Sequence, residues 1–245
     1  MLAEERCDRI VALVNEKKSV TVQELMDMLG ASESTIRRDL SLLDSRGEIV
    51  KVYGGAVAVT VKQHDDDVRE RRILFPEEKK LIAKYAASLV KRDDFVYIDA
   101  GTTTEYIIDF LTETGAVYVT NAASHAKKLS RNGFCVYLAG GRLKRSTEAV
   151  IGSTAADFIM RYNFTIGFWG ANGIHRTIGF TTPDPEEADI KQVSMSRCKR
   201  RFIVADSSKF GVISPVTFSE FKNAAVITDK KDGIYSECAN IISAH

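Results

Sequence analysis

From Phe75 onward the sequence alternates short β-branched and aromatic runs with apolar-periodic segments, and this alternation limits the fold more than any other feature. The runs "FVYID", "AVYVTN", "FCVYLAGG", "FTIGFWGANG", "RFIVAD" and "AAVITD" read as strands. Between them lie a helix led by Pro76, then "EYIIDFL", "ASHAKKLS", a helix after Gly152, and "PEEADIKQVSMSRCKR". Apolar strands alternating with helices imply a parallel sheet covered on both faces. In such sheets function gathers at the carboxyl ends of the strands. Those ends carry Asp99 to Thr104, Thr120 and Asn121, Gly140 and Gly141, Gly170 to Gly173, and Asp206 with Lys209.

The first of these ends is the most informative. In "DFVYIDAGTTTEYII" a strand passes through Asp99, Gly101 and three threonines directly into a helix. The first-turn amides of such a helix have no acceptor of their own and point at one spot, and the helix dipole favours an anion there. The same threonines would also serve as plain N-caps, and Gly140 with Gly141 as a plain turn. Glu187 and Lys191, four apart, fit a surface helix pair as well as a pocket. Lys209, following "RFIVAD", is placed to meet a phosphate as a point charge. What the plainer readings leave unexplained is why so many small polar residues recur at one end of the sheet.

The first sixty residues have a different grammar. Cys7, Ile10, Val11 and Val14 make an amphipathic helix that stops near "KKS". Thr21 with Glu24 is a capping box, and Leu25, Met28 and Leu29 supply the inner face of a second helix that Gly30 ends. Ser32 caps a third, "ESTIRRDLSLLDSR", with Ile36, Leu40 and Leu43 inward and Ser34, Thr35, Arg37 and Arg38 outward. "EIVKVYGGAVAV" then reads as two short strands around Gly54 and Gly55. Two short helices joined by a tight turn, followed by a hairpin, are what a winged helix-turn-helix requires. The competing reading is a packing module with solvated arginines. Residues 1 to 60 hold eight Lys or Arg against ten Asp or Glu, but Arg37, Arg38, Arg46 and Lys51 lie on the helix and wing that would face a duplex.

Composition narrows the remaining classes. With 245 residues, 44% hydrophobic and 27% charged, the chain is an ordinary globular protein of one large domain or two. The net charge of +1 gives no overall signature, so any nucleic-acid claim rests on local geometry. Cys7, Cys135, Cys198 and Cys238 have neither CxxC spacing nor clustering with histidine, which reads as reduced thiols and no zinc site. His64, His125, His175 and His245 lack metal-ligand spacing, and neither a Walker A nor a GxGxxG motif follows a strand, so no metal or cofactor is expected. Glu4, Glu5, Arg6 and Asp8 stand where a signal peptide needs an apolar stretch, and no segment is long and apolar enough to span a bilayer. The expectation is a cytoplasmic protein with no membrane contact. "TVKQHDDDVRERR" reads as a domain connector, and Asp65 to Asp67 within it as solvated rather than metal-binding. The expected division is 1–57 DNA-binding domain, 58–74 linker and 75–245 second, α/β domain.

"STIRRDLSLLDSRGEIVKVYGGAV", Ser34 to Val57, resembles the winged-helix segment of the DeoR family of bacterial transcription regulators. The resemblance implies that operator DNA meets Ser32, Ser34, Thr35, Arg37, Arg38, Lys51 and Tyr53. The second domain is similar to that family's sensor domain through "DAGTTT", "TN", "AGG", "GANG", "EEADIK" and "ADSSKF". This implies a phosphorylated sugar effector held by Asp99, Gly101, Thr102, Thr103, Thr104, Asn121, Gly140, Gly141, Arg142, Gly170, Asn172, Glu187, Lys191, Asp206 and Lys209. It also implies a homodimer or homotetramer on paired half-sites. "STEAVIG", "GFTTPDPEEADIK" and "ISPVTF" look most like the fructose-operon repressors of Gram-positive bacteria, which implies fructose 1-phosphate.

The sensor domain is in turn similar to ribose-5-phosphate isomerases, which carry an Asp-Gly-Ala-Asp run where this chain has Trp169, Gly170, Ala171 and Asn172. Moving a proton between adjacent carbons needs positioned carboxylates, and neither Trp nor Asn supplies one. The expectation is therefore a sensor and not an enzyme, the alternative being an isomerase-like enzyme fused to a DNA-binding domain.

Overall fold

The structure is a computed structural model and describes residues 2–52, 54–61, 68–231, 235 and 238–244. Tyr53, His64, Asp65 to Asp67 and His245, all singled out above, lie outside the described residues. Helix α1 (Ala3–Lys17) buries Cys7, Ile10 and Val14. Strand β1 (Ser19–Thr21) leads into α2 (Val22–Leu29), whose N-terminus is closed by the reciprocal Thr21–Glu24 capping box. The Glu24 amide donates to Thr21 Oγ1 at 3.2 Å and the Thr21 amide to Glu24 Oε2 at 2.8 Å. Gly30 ends α2 in the left-handed region at φ 62°, where the absence of a β-carbon removes the steric penalty. Met28, expected inside, is 48% exposed. Val22, Leu25 and Leu29 already fill the inner stripe at i, i+3 and i+7, which turns Met28 outward toward the Lys17 ammonium.

Helix α3 (Glu33–Ser45) begins at Ser32, whose side chain accepts from the Thr35 amide, and buries Ile36, Leu40 and Leu43 as expected, together with Asp39. Asp39 is held by Arg6 at 2.5 Å, tying α3 to α1. Strands β2 (Ile49–Val52) and β3 (Gly55–Ala58) form the expected hairpin, and β1 adds to its edge against β3. That third strand is only three residues long and carries no alternation strong enough to announce itself. Strand β4 (Thr60–Val61) and helix α4 (Val68–Ile73) stand between the domains.

In chain order the second domain holds α5 (Pro76–Ser88), β5 (Phe95–Ile98), α6 (Thr102–Phe110), β6 (Val117–Thr120), α7 (Ala123–Arg131), β7 (Cys135–Leu138), β8 (Arg142–Leu143), β9 (Val150–Ile151) and α8 (Ser153–Met160). These are followed by β10 (Phe164–Trp169), β11 (Gly173–His175), β12 (Gly179–Thr182), α9 (Pro185–Ser196) and β13 (Cys198–Val204). The last elements are β14 (Val212–Ile213), β15 (Val216–Ser219), β16 (Ala225–Thr228) and β17 (Ile241–Ser243). Seven strands form one parallel sheet in the order β17-β16-β13-β10-β5-β6-β7. The segment "PEEADIKQVSMSRCKR" is helical only to Ser196, because Cys198 already pairs with Phe164 and starts β13.

Alternate residues of each strand feed two cores. Tyr97, Val119, Trp169 and Ile203 face one side, packed by α8 and α9, while Val96, Ile98, Tyr118, Phe168 and Val204 face the other, packed by α5 and α6. The chain lays down β5, β6 and β7 outward in one direction and then returns to lay down β10, β13, β16 and β17 in the other. The order therefore reverses between β5 and β10. At such a switch point the connections leave in opposite directions, and a crevice opens beyond the strand ends.

Candidate functional site

The crevice is a cleft lined by Ala100 to Thr103 after β5, Gly170 to Asn172 after β10, and Val204 to Asp206 with Lys209 after β13. Glu187 and Lys191 of α9 and Thr147 enter from one side, and Arg71, Leu74, Phe75 and Lys79 from the other. Three of its walls were legible at strand ends.

Glu187 and Lys191, four residues apart on α9, are buried but do not pair with one another. Lys191 Nζ is ion-paired with Asp99 and donates to the Gly170 carbonyl at 3.1 Å, so it ties β5 to the end of β10. Asp99 is almost fully buried, and burial raises its carboxyl above the usual range against the opposing pull of Lys191. Glu187 accepts from Thr147 Oγ1 at 2.5 Å and lies 3.0 Å from Lys144 Nζ. Burial works against the Lys144 charge, yet Glu187 and Asp184 outweigh it and hold that ammonium above its ordinary value.

Thr102 and Thr103 open α6 toward the cleft, and their amides belong to the first turn, which lacks intrahelical acceptors. Gly101 is fixed from behind. His125 Nε2 lies 3.2 Å from its carbonyl, and Thr104 Oγ1 donates to the same oxygen at 2.9 Å. Burial lowers the His125 pKa to about 3, so the ring is neutral and donates from Nε2 to that oxygen. Thr104 is thus bonded back to its own helix and does not line the cleft. Asn121 is also structural: it accepts from the Ala100 amide at 2.9 Å and donates to the Val150 carbonyl at 3.3 Å. Gly140 and Gly141 stand away from the cleft. A β-carbon on Gly141 would meet the Ile151 carbonyl at 2.8 Å, so that glycine serves the approach of β8 to β9. Arg142 is exposed and paired with Glu186.

At the far end, Asp206 accepts from the Ser208 amide at 3.1 Å and from its hydroxyl, forming a short 3-10 turn that carries Lys209 to the cleft. Asn172 is placed by its amide, which donates to the Thr181 carbonyl at 3.0 Å, and its Oδ1 accepts from Thr182 at 3.3 Å. Sequence reasoning missed Lys79. It is 4% exposed, reaches the Arg71 carbonyl, and has its pKa lowered to about 8 by burial, with Lys209 and Arg71 adding to the effect and Asp206 opposing it. The signal was present: Lys79 shares a helical stripe with Ile82, Ala83 and Ala86, where a lysine is out of place unless it has work to do. Arg71, Leu74 and Thr147 had no comparable signal.

The surface of α3 is simpler. Ser32, Ser34, Arg37 and Arg38 are exposed and Thr35 is half-buried. Ser32 Oγ lies 2.9 Å from Thr35 Oγ1 and 3.1 Å from Ser34 Oγ, and Arg37 pairs with Glu33 at 2.7 Å. Lys51 of β2 donates to Ser41 Oγ at 2.6 Å, which lays the wing's cation along the same helix. Among the described residues no group of three or more His, Cys, Asp or Glu is placed to hold a metal, and no helix is long and apolar enough to cross a membrane.

A winged helix followed by an α/β domain with a polar cleft at its switch point is the architecture of a ligand-responsive transcription regulator. Residues 6–62 match the DeoR-like helix-turn-helix domain, and residues 75–230 match the DeoR C terminal sensor domain. The chain belongs to the DeoR family of DNA-binding transcription regulators. It is 42% identical over 229 residues to the uncharacterized HTH-type transcriptional regulator FruR of Bacillus subtilis, covering 93% of this chain and 91% of that protein. It is 37% identical to the HTH-type transcriptional regulator GlpR of Haloferax volcanii, covering 94% and 91%. Identity to the lactose phosphotransferase system repressor of Staphylococcus epidermidis is 31%, covering 93% and 92%. Among solved structures, ribose 5-phosphate isomerase A from Methanocaldococcus jannaschii is similar over 55% of this chain and 54% of that one, at 14% identity and a TM-score of 0.41. The sorbitol operon regulator SorC from Klebsiella pneumoniae is similar over 83% and 88%, at 10% identity and a TM-score of 0.37.

Proposed function

We propose that this protein represses a sugar catabolic operon in the cytoplasm, and that a phosphorylated sugar, fructose 1-phosphate being the candidate, controls its hold on operator DNA. Residues 1–57 read the operator through Ser32, Ser34, Thr35, Arg37, Arg38, Lys51 and Tyr53. Residues 75–245 sense the sugar, and two or four copies act together on paired half-sites. The observation that carries the reading is the meeting, in one cleft, of the first turn of α6 with Lys79, Lys209 and Arg71. Oriented amides and clustered cations hold a phosphate ester. Thr147, Glu187 and Asn172 supply polar groups suited to the hydroxyls of a sugar. The relative named as a lactose phosphotransferase system repressor supports a sugar-linked role.

The chemistry of the cleft speaks against an isomerase. The Trp169 indole is buried, stacks on Tyr97 and donates to Ser194 at 2.8 Å, so it belongs to the core. Asp99 and Glu187 are both engaged by lysines, and Asn172 has no acid to offer. Thermal unfolding of the full chain against a panel of sugar phosphates tests the reading. A specific effector at about 100 times its dissociation constant adds roughly 2.7 kcal/mol. Fructose 1-phosphate is expected to stabilise and fructose is not, and neither fructose 1-phosphate nor ribose 5-phosphate yields an isomerised product. Turnover that disappears on mutating the cleft would replace the sensor with an enzyme.

A further inference from the structure

Two stretches of the sensor domain carry cleft residues and then pack against the DNA-binding domain. Beyond Asn172 the chain enters β11 and the turn at Arg176 to Ile178. Beyond Lys209 it passes Gly211 and enters β14. We infer that the seam these two stretches make with the C-terminal end of α3 and the first wing strand is the element through which the cleft acts on operator binding. The inference rests on the sensor reading above and specifies how that sensor is wired.

The seam is closely fitted. A β-carbon on Gly47, just after α3, would lie 2.9 Å from Ile178 Cδ1. A β-carbon on Gly211 would lie 3.2 Å from a Val50 methyl. Val50 is 4% exposed although it stands outside the winged helix's own apolar cluster, so its burial is against the sensor domain. Thr177 Oγ1 donates to the Asp44 carbonyl at 3.4 Å, and β14 pairs in parallel with β4, Val212 opposite Thr60. Between these contacts His175 is 1% exposed and faces the Ile49 backbone and the Asp44 carboxylate.

The two stretches are also locked to one another. The Gly211 amide donates to the Ile174 carbonyl at 2.9 Å, and the Tyr235 hydroxyl donates to the same oxygen at 3.2 Å. Gly173 passes so close to the Val212 carbonyl that a β-carbon there would lie 2.2 Å from it. Close-packed elements with no space between them shift together. A ligand that draws Lys209 or Asn172 toward itself therefore moves both stretches against Gly47 and Val50. The seam grips α3 at its C-terminal end and leaves Ser34, Arg37 and Arg38 at the other end exposed, so the docked arrangement presents the operator-reading face and fixes its orientation.

The test uses the full chain and two substitutions away from both binding surfaces, Ile178→Ala and Val50→Ala. Calorimetry with fructose 1-phosphate is expected to give wild-type affinity for each. The factor by which that sugar changes operator affinity is expected to fall roughly tenfold, because that factor is the coupling between the sites. An undiminished factor in both variants overturns the seam and assigns the coupling to the connector around Val68–Ile73.

Amide exchange without any sugar decides the same question independently of the effector's identity. Ile178→Asp should speed exchange at Lys51 and also at Lys209 and Gly211 in the cleft-facing stretch. Exchange that rises in the wing alone, with Lys209 and Gly211 unchanged, overturns the inference. Should fructose 1-phosphate leave the wild-type complex untouched, the effector assignment fails, and the exchange result still judges the seam.

Discussion

Lys191 is ion-paired with Asp99 at the side of the cleft, both side chains almost wholly shielded from water. The pair joins α9 to the end of β5 and so braces one side of the switch point. Removing one partner strands the other charge, which costs about 3–5 kcal/mol. Lys191→Met is expected to lower stability by that order in urea denaturation at neutral pH. Asp99 then keeps a folded-state pKa raised by burial above its unfolded value, so the folded state holds the proton more tightly. The loss is largest above that raised pKa and shrinks as pH falls toward the unfolded carboxyl's value of roughly 3.9. A loss of stability that does not shrink with falling pH would show that Asp99 is not the stranded charge.

On the sensor reading, Lys79 is expected to give ligand binding a pH dependence. Its pKa is held down at about 8 by burial beside Lys209 and Arg71. A phosphate in the cleft favours the charged ammonium, so binding takes up a proton above that pH, and affinity falls as pH rises through about 8. Without ligand the sign reverses: the folded state prefers neutral Lys79, so its effect on stability improves from about 8 up to the unfolded lysine's value of roughly 10.4. Calorimetry in buffers of different ionisation enthalpy measures the uptake, and Lys79→Met should abolish it.

Thr103→Val and Lys209→Ala are each expected to weaken the sugar response while leaving operator binding intact without sugar. A charge-assisted hydrogen bond contributes about 1.5–3 kcal/mol, so effector affinity should drop roughly tenfold or more. Titrating the protein–operator complex first with fructose 1-phosphate and then with fructose checks this. Equal potency of the two sugars would reduce the first turn of α6 to an ordinary helix start.

Replacing Arg37 and Arg38 by Ala should weaken operator binding and flatten its salt dependence. The log–log slope should fall by roughly one unit for each DNA phosphate that the variant no longer neutralises. The sugar response of the sensor domain should be unaffected. Unchanged slope and affinity would remove this face of α3 from the DNA interface.

Features set by chemistry within four residues were readable from the sequence. The Thr21–Glu24 box, the Ser32 cap and the Gly30 stop all stand where the spacing places them, because each is a local hydrogen-bond or backbone requirement. The alternation of strands and helices likewise exposed the parallel sheet. Met28 turns outward because Val22, Leu25 and Leu29 set the single inner stripe of an eight-residue helix, and Met28 lies beyond its edge. The short strands β1, β8, β14 and β17 are two or three residues long, too short to carry a period. In the cleft, residues at strand ends were legible, whereas Arg71, Leu74 and Thr147 arrive by tertiary packing from remote parts of the chain. Asn121, Gly140 and Gly141 sit at strand ends too, yet they brace the frame without lining the cleft.

Arg71 and Leu74 reach the cleft from the stretch that joins the two domains. A chimaera that exchanges operator-reading halves between relatives at residue 75 would carry over the floor of the cleft and leave one of its walls behind. Faithful transfer of ligand preference requires a junction before Val68. On the sensor reading, where such a protein binds on the chromosome and which metabolite it answers are inherited through overlapping stretches of one chain, and recombination at the obvious domain boundary would separate a receptor from part of itself.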